Sequence, residues 1–354
     1  MNNISLCLRG SEAFFNQPGY IEDTARELQA PTPPMPPLYH HRQEASSFFQ
    51  EVAKSILWLP KLPYQALQKA CMVGVVPSQY PLLTNIYPDI IRKHLIPKEN
   101  EEKVCKRFAV GADELIVDAL IMGSKENLDN RKWMVFSVGN GECYELYATD
   151  PEVLRLAYML DVNILFYNHP GVGGSSNPAN ATTFIKAHEA MLHFMVDSLH
   201  ATTIVDWGHS IGCAVHDNQY IPPVSYLRVK SRGFVDIARA AGAALTGISV
   251  IGLPLSLVDA KFDCIEASVH APCPEIILQS GVGNQVVELR EDSDLDLLRD
   301  YDPIVKKEVT LAYGLFQRRD EWRGEKRFFA IPQGHGDGMP NLNFIRDVIL
   351  ETLP

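Results

Sequence analysis

The segment Thr202–Cys213, TTIVDWGHSIGC, joins a β-branched run to Gly208-His209-Ser210-Ile211-Gly212, and few backbones accept that order. Residues such as Thr, Ile and Val favour an extended strand. Glycines on either side of the serine remove side chains that would clash where a chain leaves a strand and enters a helix in one sharp turn. The serine is then held in a strained conformation with its hydroxyl presented at the top of the strand. G-x-S-x-G alone also describes an ordinary glycine-rich turn with a solvated serine. The preceding strand separates the two readings and makes the Ser210 hydroxyl a candidate nucleophile.

A strand of this kind implies neighbours. Lys106–Val110 and Leu115–Met122 read as strands around a turn at Gly111-Ala112-Asp113, and Trp133–Val138 is a continuous apolar run of the type buried on both faces. Asp150 and Pro151 have the residue types of an N-cap and a first helical position, so a helix is expected from there to about Leu160. Val162–Tyr167 is another buried strand, and Thr182–Leu199 is a long amphipathic helix before the serine-bearing strand. Strands alternating with helices of this length predict an α/β domain with a parallel sheet and crossover helices.

That domain is expected over residues 105–354. Residues 1–46 form a peripheral segment that contains a stiff proline-rich connector, Ala30-Pro31-Thr32-Pro33-Pro34-Met35-Pro36-Pro37. Residues 47–104 form a helical extension with an aromatic face at Phe48, Phe49 and Trp58. Either the face packs on the main domain, or it touches a membrane surface or a partner protein. Ala240–Val258 carries no charge, but Gly242, Gly247, Gly252 and Pro254 interrupt it. A buried helix or an apolar lid suits that stretch better than a membrane span.

The formal net charge of −11 argues against a nucleic-acid partner, because phosphate binding needs a basic surface. Seven scattered cysteines without C-x-x-C spacing point to reduced thiols in a cytoplasmic setting and to no structural zinc site. The N-terminus lacks the pattern of a secretory signal. No cofactor is expected. The loop Asn168–Ser176 is glycine-rich but lacks the lysine and spacing of a phosphate-binding motif, and His188 and His193 are off the i, i+4 register of a helical zinc pair.

A nucleophilic serine needs a base, an acid to orient it, and backbone N–H groups aimed at the developing oxyanion. His335 lies in Pro332-Gln333-Gly334-His335-Gly336-Asp337-Gly338, directly after an expected strand Lys326–Ile331 and before a terminal helix Asn341–Leu353. It is the preferred base over His216 and His270. The acid should follow the strand Glu275–Gln279, yet Gly281–Gln285 contains none. Asp302, in Asp302-Pro303-Ile304-Val305 before a helix expected over Lys306–Phe316, is preferred, with Asp292 and Asp294 as alternatives. For the oxyanion, one N–H should come from Ile211. The second should come from Asn140 or, alternatively, Gly141, in the glycine loop after Trp133–Val138.

Five segments then fall in the order of one superfamily. FSVGNGE resembles the oxyanion loop of α/β-hydrolases, NHPGVGGSS the loop after their fourth strand, and GHSIG their elbow. YLRVKSRGF is similar to their sixth strand and PQGHGDG to their histidine loop. More narrowly, the chain resembles the chlamydial CHLPS-type hydrolase-like proteins of bacteria that live inside host cells. The resemblance implies a mostly parallel eight-stranded sheet, Ser210 as nucleophile and His335 as base; it departs from the superfamily at Asn284, where an acid is usual. The expected function is hydrolysis of an ester, thioester or lipid-like acyl substrate. The alternative is a hydrolase-fold protein that binds a partner without turnover.

Overall fold

The computed structural model describes residues 103–112, 115–124, 128–139, 142–175, 180–217, 220–235, 262–300, 306–335, 337–339 and 341–354. The segment 1–46, nearly all of 47–104, the apolar stretch 240–258, and Asn140, Gly141 and Asp302 lie outside them.

Nine strands form one sheet: β1 (Lys103–Ala112), β2 (Leu115–Ser124), β3 (Lys132–Ser137), β4 (Asn163–Tyr167), β5 (Thr203–His209), β6 (Ser225–Ser231), β7 (Glu275–Ser280), β8 (Val287–Leu289) and β9 (Lys326–Ile331), in the spatial order β1-β2-β4-β3-β5-β6-β7-β9-β8. Pairing is parallel from β4 through β3, β5, β6 and β7 to β9, and antiparallel at both edges. Eight of these strands are the expected ones. The ninth, β8, corrects the expected number. It is a three-residue edge strand in which only Leu289 is buried, too short to show an alternating pattern in sequence.

Each inner strand feeds both faces. On β3, Met134 and Phe136 join the core under helices α1 (Tyr144–Tyr147), α2 (Pro151–Leu160) and α6 (Leu342–Thr352), while Trp133 and Val135 point to the opposite face. That opposite face is covered by α3 (Ala181–His193), α4 (Cys264–His270) and α5 (Leu311–Phe316). The helix starts follow local chemistry. Asp150 accepts the Glu152 N–H at 2.8 Å ahead of Pro151, and Asn180 and Thr183 close a reciprocal capping box. The expected helix over 182–199 is α3 followed by a wider π-type turn at Phe194–Ser198. The helix expected over Lys306–Phe316 is shorter: a 3₁₀ turn at Lys307–Val309 precedes α5, whose N-cap is Thr310.

Charge interrupts the second face. Asp206 on β5 is in register with Arg228 on β6, Arg228 with Glu275 on β7, and Glu275 with Lys326 on β9. All four residues are buried. This alternating row lies between two apolar clusters, one under α3 and the other between α4 and α5. Glu275 binds Lys230 at 2.7 Å and Lys326 at 2.9 Å, and these cations hold its carboxyl down to about 2 against its burial.

Candidate active site

β5 ends at His209, and the chain turns through Ser210 into a 3₁₀ helix, Ser210–Asp217. Ser210 has φ of 53°, in the left-handed region that costs a non-glycine residue about 1–3 kcal/mol. The glycines are sterically required. A Cβ on Gly208 would lie 2.5 Å from the Gly212 carbonyl oxygen, and one on Gly212 would lie 2.2 Å from that of Ser137. The elbow therefore packs directly on the end of β3, which brings the loop after β3 beside the serine.

His335, 125 residues along the chain, meets it there: Nε2 is 2.9 Å from Ser210 Oγ, and both residues are buried. For Nε2 to accept the serine proton, the ring hydrogen must sit on Nδ1. The Phe234 ring stacks on the imidazole at 5.1 Å and 14°. Three contacts tie down the histidine loop. Asp337 Oδ2 accepts the Gly334 N–H at 2.6 Å, Arg232 Nη2 donates to the Gly338 carbonyl at 2.9 Å, and the Met339 N–H donates to Glu152 at 2.9 Å.

Of the other expected site residues, Asp302, Asn140 and Gly141 lie outside the described residues. Ile211 follows Ser210 directly, and its side chain is buried in the core. Asp292 is exposed and paired with Arg319, and Asp294 accepts the N–H groups of Arg290 at 2.7 Å and Glu291 at 2.9 Å. Of the weaker base candidates, His216 is bound to Asp206 and His270 to Glu266.

The start of the loop after β3 is held by two residues that the sequence reading did not single out. Glu142 Oε2 accepts the Gly139 N–H and the Tyr147 hydroxyl, each at 2.6 Å. Burial raises the Glu142 carboxyl, against these two hydrogen bonds and the opposing fields of His335 and Arg232. His169 Nε2 is 3.0 Å from the Val138 carbonyl oxygen, so this nitrogen carries the hydrogen; burial pushes its ring down to about 4 and keeps it neutral.

Ser210 and His335 open onto a cavity of about 520 Å³, lined by Phe136, Trp207, Tyr147, Leu146 and Met339, with Glu142, Asp150, Arg232 and Asp337 as its charged groups. That volume lies in the range of small-ligand sites, roughly 300–1,000 Å³. His209, also on the wall, is pushed well below its usual range by burial and by Arg232 and His335.

Metal-ligating side chains do gather below the elbow: His188, Asp206 and His216 place one ligand atom each within 4.8 Å of one another. They bind each other instead. His188 Nε2 and His216 Nε2 are 2.9 Å and 3.0 Å from the two Asp206 oxygens, and the Tyr226 hydroxyl donates to Oδ2 at 2.5 Å. With both oxygens engaged by ring nitrogens, the donor set is satisfied as a hydrogen-bond network. Tyr167, 3.0 Å from His188 Nδ1, extends that network to Ser137 at 2.7 Å.

The strand order, the strained serine on a strand-to-helix turn and the histidine on the loop after β9 define an α/β-hydrolase fold. Solved structures agree. An esterase from Pyrococcus furiosus superposes with a TM-score of 0.50 at 10% identity, covering 77% of this chain and 96% of its own. A post-proline cleaving enzyme from Rickettsia typhi gives 0.51 at 13% identity, covering 73% of this chain and 38% of its own. At such identities the likeness concerns the fold. No curated protein matches the chain in sequence. The family model for the Chlamydia CHLPS protein (DUF818) matches residues 24–336, and the chain belongs to that family.

Proposed function

We propose that the protein is a serine hydrolase acting on an ester, thioester or lipid-like acyl substrate. The observation that carries this reading is the 2.9 Å contact between Ser210 Oγ and His335 Nε2 at the wall of a partly apolar cavity. His335 takes the proton as Oγ attacks the acyl carbon. The N–H groups of Ile211 and of Asn140 or Gly141 receive the tetrahedral oxyanion. The intermediate collapses to an acyl-serine, His335 hands its proton to the departing alcohol or thiol, and water activated by His335 releases the acid. Asp302 is the carboxylate proposed to orient the imidazole. The other engagements of Asp292 and Asp294 support that preference.

The aromatic and aliphatic lining supports an apolar acyl group. The experiment is hydrolysis of p-nitrophenyl esters of increasing chain length by the full chain, compared with Ser210→Ala, His335→Ala and Asp302→Asn. Wild-type turnover should fall by at least about 10³-fold in the first two variants. Turnover that survives Ser210→Ala rejects the mechanism. A folded wild type without turnover would favour a partner-binding role instead.

A further inference from the structure

The Val138 carbonyl and the Gly139 N–H belong to one peptide group, and each is held by a different side chain. His169, from the loop after β4, donates to the carbonyl at 3.0 Å. Glu142, from the far side of the oxyanion loop, accepts the N–H at 2.6 Å. A trans peptide points these two groups in opposite directions, so the plane is gripped on both edges and cannot rotate without breaking a buried bond. Glu142 is itself held by the Tyr147 hydroxyl at 2.6 Å, and the Tyr147 ring packs on Phe136 at 4.6 Å. The grip also needs glycine at 139, because a Cβ there would lie 2.4 Å from the Glu142 carboxylate.

We propose that Glu142 and His169 are positioning residues that clamp the 138–139 peptide and thereby set the direction in which the chain enters the second oxyanion donor, Asn140 or Gly141. Among the described residues, the hydrogen bonds of Glu142 run to Gly139 and Tyr147 and that of His169 to Val138. The clamp rests on the serine-hydrolase reading for its catalytic meaning, because aiming a donor matters only where an oxyanion forms. An oxyanion donor is worth about 10²–10³ in rate when removed outright, and misaiming one should cost less.

The test uses Glu142→Ala, Glu142→Gln, His169→Ala, His169→Gln and the double alanine variant. Each single alanine variant should lower kcat by about 10–100-fold with KM within about threefold. A glutamine carbonyl can accept both donors at 142, and a glutamine amide can donate at 169. These conservative variants should therefore recover most of the rate. Because both residues act on one peptide, the double variant should be little worse than the poorer single. Unchanged kcat in Glu142→Ala overturns the proposal. So does a loss carried by KM, or a Glu142→Gln variant as slow as the alanine form.

Amide exchange in the peptide spanning Ser137–Glu142 is read in parallel by mass spectrometry. It should quicken at least about tenfold in Glu142→Ala. This second readout separates the two failures. An inactive wild type whose exchange still responds rejects the hydrolase reading and keeps the clamp, whereas an active wild type with unresponsive exchange rejects the clamp. Should His169→Ala fail to fold, the Glu142 variants and their exchange still decide.

Discussion

Ser210 is held at φ of 53° by its surroundings, because nothing in a serine side chain favours that region. The strain is sustained by close packing between the elbow and the end of β3, where Gly212 sits against the Ser137 carbonyl. Gly212→Ala should therefore cost about 1–3 kcal/mol or more in urea unfolding and displace the serine from His335. A variant within about 0.5 kcal/mol of wild type would show that the turn has slack. Ser210 and His335 were legible in sequence because each sits in a glycine-rich turn straight after an apolar run, and their order along the chain is informative. Phe234, Arg232, His169 and Glu142 were not. Arg232 reaches a carbonyl 106 residues away, and His169 serves a carbonyl 31 residues upstream. No local pattern marks a side chain whose partner is chosen by the fold.

At the scale of elements, the row Asp206–Arg228–Glu275–Lys326 fixes how four adjacent parallel strands align. Sliding one strand by a single residue would turn its buried charge into the apolar face beneath α2 and α6. Removing the Glu275 charge leaves Arg228, Lys230 and Lys326 buried without it, so Glu275→Gln should destabilise by about 3–5 kcal/mol, measured from urea midpoints. A loss below about 1 kcal/mol would mean that the lysines shed their protons or reach water. Two members of the row had a sequence signature, a lone charged residue in or beside an otherwise apolar run: Asp206 in IVDW and Glu275 in PEIIL. The long strands and capped helices were readable for the same reason, since burial on both faces and N-cap chemistry are local. β8 and the break before α5 were not, because three-residue edge strands and 3₁₀ turns are fixed by what they pack against.

For the molecule as a whole, the segments that follow β4 and β5 of the sheet carry buried histidines kept neutral by desolvation. His169 and His216 are both lowered to about 4, whereas an unfolded histidine titrates near 6.5. Between these values each of these rings binds more protons in the unfolded chain than in the folded one, so its contribution to stability is fully present above about pH 6.5 and is lost as pH falls toward 4. Urea midpoints should decline through that window, and His169→Gln should flatten the decline by about one proton's worth. A midpoint independent of pH from 7 to 4.5 would contradict the burial of these rings. The same sheet brings a serine and a histidine far apart in sequence to 2.9 Å, and the proposed chemistry depends on that contact making the serine reactive. The most direct measurement is to treat the folded full chain with a fluorophosphonate and map the adduct by mass spectrometry. One adduct on Ser210 is expected, lost in Ser210→Ala and strongly slowed in His335→Ala; a folded wild type that takes up no label, or takes it up on another residue, would contradict the account.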